Sequence, residues 1–268
     1  MKKFLIIAFF PLVFACQPTS KNEGTSEEVE DGSEYIEYNN PPAEGFDQEG
    51  SDLLATLLAD KVMSAMGGRK AWDETRFISW NFFGRRTHIW DKLEGDVRIE
   101  EPSNNLTILM NIHSEKGKVM IGGEEVSNPD SLSKYLDMGK RYWINDSYWL
   151  VMPYKLKDSG VTLRYIGEDT TQLGEKSDII RMSFKDVGVT PQNVYDVWVD
   201  VESKFVTQWA YYTDANQEEP RFTTPWSDYK KYGTIYLSGD RGDYKLSDIK
   251  VLQEVPPNTF DSFEIVAL

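Results

Sequence analysis

The sequence predicts an α+β protein: one large, curled antiparallel sheet of about 10–11 strands, an open half-barrel, with two or three helices over its concave face. Three observations carry this expectation. After Thr75 the apolar period is two over most of the chain. Glycines at 95, 117, 167, 233 and 239 punctuate those stretches at short intervals, as in a meander. Helical spacing is confined to an early segment and to one mid-chain interruption. A sheet this wide curls, and its buried face needs helices to cover it.

The chain opens with Lys2 and Lys3, an apolar run from Phe4 to Phe14, and Ala15 before Cys16, the single cysteine. A basic start, a short apolar core and a small residue before the cut predict a signal peptide over residues 1–15. The run is shorter than the roughly 20 residues a bilayer span needs. Val13-Phe14-Ala15-Cys16 resembles a bacterial lipobox, which implies lipidation of Cys16 and anchoring of the mature chain to a membrane. Gln17, in place of aspartate after the cysteine, favours the outer membrane, facing the periplasm or the cell surface. With Cys16 acylated, no thiol remains for a disulfide, a nucleophile or a metal.

Residues 17–50 carry ten carboxylates and one base, a net charge of −9. Residues 51–268 carry 34 acids and 26 bases (−8), and Lys2 and Lys3 complete the overall −15. Low hydrophobicity and like charge predict a disordered acidic tether over 16–50. The acidity also argues against nucleic acid as a partner, since no basic patch is present to displace counterions.

A single domain is expected over 51–268. Ser51 is placed to cap a helix burying Leu54, Leu57, Leu58, Val62 and Met66, ended by Gly67-Gly68, with a short turn of helix over Arg69–Glu74. Strands follow at Arg76–Phe83, Thr87–Lys92, Asp96–Glu101, Leu106–Ile112 and Gly117–Ile121. From Pro129 to about Asp146 a helix buries Leu132, Tyr135 and Leu136. Later strands are Val161–Ile166, Asp178–Lys185, Val194–Asp200, Phe205–Tyr212, Arg221–Tyr229 and Ser247–Val255.

Gly67-Gly68, Trp72, Trp80-Asn81-Phe82-Phe83-Gly84-Arg85-Arg86, Trp90-Asp91-Lys92, Pro153-Tyr154-Lys155-Leu156, Gly188-Val189-Thr190-Pro191, Val197-Trp198-Val199-Asp200 and Trp226-Ser227-Asp228-Tyr229 resemble a group of bacterial envelope lipoproteins that carries no activity to transfer. More distantly, Val194–Asp200, Phe205–Tyr212 and Val255-Pro256-Pro257 resemble the lipoprotein carriers LolA and LolB. That likeness implies an unclosed barrel with helices at its mouth, holding acyl chains.

Catalytic chemistry finds little support. His88 and His113 fall on separate strands with no ligand at metal spacing, and no serine sits in a nucleophile elbow. Arg241-Gly242-Asp243 reads as a hairpin turn rather than an adhesion motif. No catalytic residue, metal or cofactor is therefore expected, and the protein is expected not to be an enzyme. The chain is rich in aromatics, with 8 Trp, 14 Tyr and 13 Phe. Most should fill the core, but Trp80, Phe82, Trp198 and Trp209, with Met110 and Met182, are the candidates to line a groove for a lipid or acylated ligand. Alternatives are an interaction platform for an envelope protein partner and, less favoured, an acid-catalysed hydrolase of envelope glycans. The helix at 129–146 is the candidate for a movable lid.

Overall fold

The computed structural model describes residues 39–185 and 190–268; the expected signal peptide, the expected lipidation site Cys16 and the part of the expected tether up to residue 38 lie outside them. The helices are α1 (Leu53–Ala65), α2 (Arg69–Glu74) and α3 (Pro129–Val151). The strands are β1 (Phe77–Phe82), β2 (Arg86–Asp91), β3 (Asp96–Glu101), β4 (Leu106–Asn111), β5 (Gly117–Ile121), β6 (Glu124–Glu125), β7 (Val161–Thr170), β8 (Lys176–Phe184), β9 (Val194–Asp200), β10 (Val206–Tyr212), β11 (Phe222–Pro225), β12 (Ser227–Tyr232), β13 (Ile235–Arg241) and β14 (Tyr244–Leu252). No helix among the described residues is long and apolar enough to cross a membrane.

The expected α+β architecture is present, with its strands divided between two antiparallel sheets. Nine strands are ordered β12-β13-β14-β1-β2-β3-β4-β5-β6, and five are ordered β11-β10-β9-β8-β7. The chain crosses from one to the other at Trp226, between β11 and β12, where the indole is fully buried and the backbone N–H bonds Thr207 O at 2.8 Å. This corner splits the single strand expected over Arg221–Tyr229. β13 went unexpected because its inward positions run Ile235, Leu237, Gly239, Arg241, so the apolar alternation fades halfway.

Strict register builds the inner face of the larger sheet. Trp80, His88, Ile99, Ile108 and Val119 pair in one row across β1 to β5, each with 0% exposure. α3 lies over this face. Its inward stripe Leu136, Gly139, Trp143, Asp146, Leu150 recurs at three and four residues, the helical period that buries one side. A Cβ on Gly139 would stand 2.9 Å from Ile108 Cγ2 and 3.0 Å from Met110 Sδ, so glycine permits the close approach of helix to sheet. Trp143 meets Trp90 edge-on at 5.3 Å. Asn128 caps the helix through Ser131 N, and Pro129 occupies the first turn.

On the opposite face the C-terminal segment is held by Arg98, 1% exposed, which donates to Thr259 O (3.2 Å), Ser262 O (2.7 Å) and Glu264 O (2.8 Å). One edge of each sheet is blunted. β6 is two glutamates, and the first half of β7 is covered by residues 43–52.

That last contact corrects the expected start of the fold at Ser51. Asn40 donates to Asp60 (2.9 Å), Ala43 N bonds Lys157 O, Asp47 N bonds Val161 O, and Phe46 is 9% exposed within the core. The apolar Phe46 and the open edge of β7 outweigh the acidity that made 39–50 look like tether. Ser51 is not the cap: its hydroxyl bridges Asp47 O and Leu163 N, and Asp52 occupies the N-cap position with its carboxylate turned to Arg164 and Tyr165 N. Gly67 (φ 113°) closes α1, where any Cβ would stand 2.3 Å from Thr234 O.

Candidate functional site

α3 has a second side, and it faces the five-stranded sheet. Between them lies a cleft of about 350 Å³. The helix contributes Ile144, Asn145, Tyr148 and Trp149, while β8 to β11 contribute Phe184, Tyr195, Trp209, Tyr211 and Phe222; Thr190 and Asn193 complete the lining. Period-two alternation puts Trp209 and Tyr211 of β10 on the same face as Tyr195 of β9. Tyr195 stacks on Trp209 (4.9 Å, 9°), Trp149 meets Trp209 edge-on (4.9 Å, 83°), and Trp149 lies parallel to Phe222 at 5.5 Å. Trp209 forms the floor at 1% exposure, its indole N–H satisfied by Thr224 Oγ1 at 2.8 Å. Burial pushes the Tyr148 and Tyr195 phenols up, so both stay neutral in the physiological range. The Tyr148 hydroxyl rests on Met182 Sδ at 3.3 Å.

A buried polar network pins α3 on the nine-stranded sheet. Asp146, with 0% exposure, accepts from Arg86 Nε (2.7 Å), Arg86 Nη2 (3.0 Å) and His88 Nε2 (2.8 Å). Arg86 also reaches Glu101 and lies 4.0 Å over the Tyr142 ring. Burial pushes the Asp146 carboxyl up, yet the bonds from His88 and Arg86 outweigh it and hold the group below the usual range. Desolvation pushes the His88 imidazole down, against the pull of Asp146. An ionised Asp146 makes Nε2 the protonated nitrogen of a neutral His88, and Nδ1 has no partner. His88 stacks under Trp80 at 4.6 Å and has no exposed surface.

The candidate residues from the sequence separate accordingly. Trp209 lines the cleft, and Met182 lies against it through Tyr148. Trp80, Phe82 and Met110 are buried at 0%, 4% and 4% beneath α3, filling the sheet–helix interior rather than lining a groove. Trp198 is on the opposite face of the sheet from Trp209. It pairs with Gln208, whereas Trp209 pairs with Val197, and it packs with Val194, Ala210 and Tyr212. Neighbouring positions on a strand point to opposite faces, so Trp198 and Trp209 cannot share a groove. The concave face of the larger sheet, expected to shelter a ligand, is occupied by α3. Asp146 runs against the lid expectation, because lifting α3 off that sheet would strand a buried carboxylate.

Tyr148, Trp149, Tyr195, Tyr211 and Phe222 were missed. Their signal was available for the strands, where Tyr195, Trp209 and Tyr211 share parity, but no sequence pattern shows which helix face meets them. Asp146 was also legible in principle: it interrupts the apolar stripe of α3 while Arg86 and His88 share the inward parity of β2. Arg241 of the Arg-Gly-Asp tripeptide is 1% exposed and donates to Trp149 O at 2.7 Å, which removes it from any adhesive surface. Desolvation pushes its guanidinium down to about 9, and it lies 3.5 Å over the Trp226 ring near the C-terminal end of α3. Among the described residues no group of three or more His, Cys, Asp and Glu could hold a metal ion.

Fold and site define an α+β protein with two open antiparallel sheets clasping one helix and an aromatic cleft on that helix. No protein-family model matches the chain, and no curated protein matches it in sequence. Among solved structures it is similar to a DUF1329 family protein from Desulfovibrio piger ATCC 29098, at 12% identity and a TM-score of 0.41, covering 77% of this chain and 97% of the other. It is also similar to MucB in complex with MucA(peri), at 11% identity and a TM-score of 0.24, covering 76% and 66%. At these scores neither likeness carries a functional argument.

Proposed function

We propose that this chain is an envelope lipoprotein that binds an apolar or acylated ligand, without chemistry, in the cleft between α3 and the five-stranded sheet. The cleft carries the reading. Its volume of about 350 Å³ falls within the roughly 300–1,000 Å³ of small-molecule sites, and its lining is aromatic with a few amide and hydroxyl groups among it. Half-buried rings such as Trp149 and Phe222 offer apolar surface whose further burial contributes about 25 cal/mol per Å². Lipidation of Cys16 supplies the attachment to the outer membrane in this reading.

A fluorescent fatty acid titrated into the protein should bind saturably. Trp149→Ala and Phe222→Ala should each weaken binding about tenfold, close to 1.4 kcal/mol. Trp198→Ala, altered on the far face of the same sheet, should leave affinity unchanged. Binding that is not saturable, or that responds equally to Trp198→Ala, would remove the cleft from the account. Replacement of Cys16 by serine should shift the protein from washed membranes to the soluble envelope fraction, and retention in the membrane would refute the anchor.

A further inference from the structure

We infer that the outward face at the start of α1 rests on the bilayer to which the chain is anchored; this rests on the reading of Cys16 as a lipid attachment site. α1 is amphipathic with its polarity out of place. Ala55, Leu58, Ala59 and Val62 are buried, as a core-facing stripe requires, yet Leu53, Leu54 and Leu57 stand 74%, 47% and 40% exposed. At 100° per residue these three leucines fall within one 100° sector of the helix. Lys61 continues the same sector one turn on, beside a shallow surface depression that also holds Lys204, whose ammonium is already taken by Asp178 at 3.9 Å and Val201 O at 2.7 Å. Leucines ahead of a lysine suit the boundary between acyl chains and lipid phosphates.

The acids of α1 and its cap are paired. Asp52 at the N-cap pairs with Arg164 at 2.7 Å, and Asp60, the only acid within α1, pairs with Lys157 at 2.6 Å. In a chain of net charge −15 this sector is therefore free of unpaired α1 carboxylates. Position points the same way. The described chain begins beside α1, where Asn40 bonds Asp60, and 22 residues (17–38) separate it from Cys16. Fully extended, 22 residues reach at most roughly 80 Å, so an anchored domain stays at the surface. Three leucines hold a free protein on a bilayer only weakly, but tethering raises the effective concentration to the order of millimolar, where a weak contact is occupied.

The chain from Cys16 onward can be coupled through that single thiol to maleimide-headgroup lipid in phosphatidylcholine vesicles, which bypasses cellular lipidation. Hydroxyl-radical footprinting then reads solvent access of the leucine side chains. Labelling of Leu53, Leu54 and Leu57 should fall severalfold on coupling while Leu93 and Leu173, exposed elsewhere, stay unchanged. In Leu53→Ser/Leu57→Ser, folded by circular dichroism, the protection of Leu54 should be lost. Equal labelling in coupled and free protein would overturn the proposal. So would protection that appears in free protein as its concentration rises, which would make the face a contact between copies. Failure of Cys16 to incorporate labelled palmitate in cells would remove the anchor itself, separately from ligand binding in the cleft.

Discussion

At Asp146 burial opposes ionisation and two hydrogen-bonding neighbours overcome it. Replacing it with asparagine leaves the buried Arg86 guanidinium only its longer contact to Glu101 at 3.4 Å and costs about 3 kcal/mol, the low end of the penalty for breaking a buried pair from one side. Urea denaturation measures this, and a change below about 1 kcal/mol would show that water reaches the site. His88 adds a pH dependence. Its folded-state pKa is depressed, so the unfolded chain takes up a proton at a higher pH than the native protein. Stability from this group is complete above the unfolded value near 6.5 and declines as pH falls below it, by up to about 1.4 kcal/mol per pH unit. Asp146, depressed below the carboxylate range, adds its own loss only in more acidic solution. The melting temperature should therefore fall from pH 6.5 to pH 5, and His88→Gln should flatten that slope whatever its own baseline. An equal slope in the variant would place the titration elsewhere.

α3 is the element that joins the two halves of the molecule. One side packs on the nine-stranded sheet through Gly139 and Asp146, and the other supplies Tyr148 and Trp149 to the cleft. Because Gly139 sits against Ile108, which has no exposure, Gly139→Val should overpack the contact and destabilise by about 2–3 kcal/mol. The same variant should also weaken ligand binding in the cleft, since lifting the helix moves Trp149. Calorimetry of stability and affinity together tests this; lost stability with unchanged affinity would mean that the cleft is set by the sheet alone.

Two segments outside the sheets hold the whole domain together. A chain starting at Ser51 loses the burial of Phe46 and the cover over β7, so it should melt lower by roughly 6–12 °C, about 3 kcal/mol at this size. An unchanged melting temperature would restore the tether reading for 39–50. At the other end, Arg98 uses its planar fork to bind three carbonyls, a geometry lysine does not reproduce. Arg98→Lys should leave the sheets folded while limited proteolysis cuts faster beyond Leu252. Unaltered cleavage would mean that contacts such as Phe77 against Phe260 at 6.4 Å suffice.

Much of this fold was legible in the chain because its information is local. Strands β3, β5 and β9 appear with the expected limits, since period-two alternation and flanking turns are properties of a few consecutive residues. α1 to α3 follow from helical spacing, although α3 continues past the expected end near Asp146 to Val151, through Tyr148 and Trp149. What the tertiary structure alone decided is which faces meet. The break at Trp226 that makes two sheets of one depends on burial across the corner, and the pairing of Asp146 with Arg86 and His88 joins positions about 60 residues apart. Trp209 was recognisable as an inward aromatic, but its separation from Trp198 depends on register, and its partnership with Trp149 depends on how α3 is seated. Periodicity assigns each side chain to one of two faces; only the packing of distant elements determines which face becomes core, which becomes cleft and which meets water.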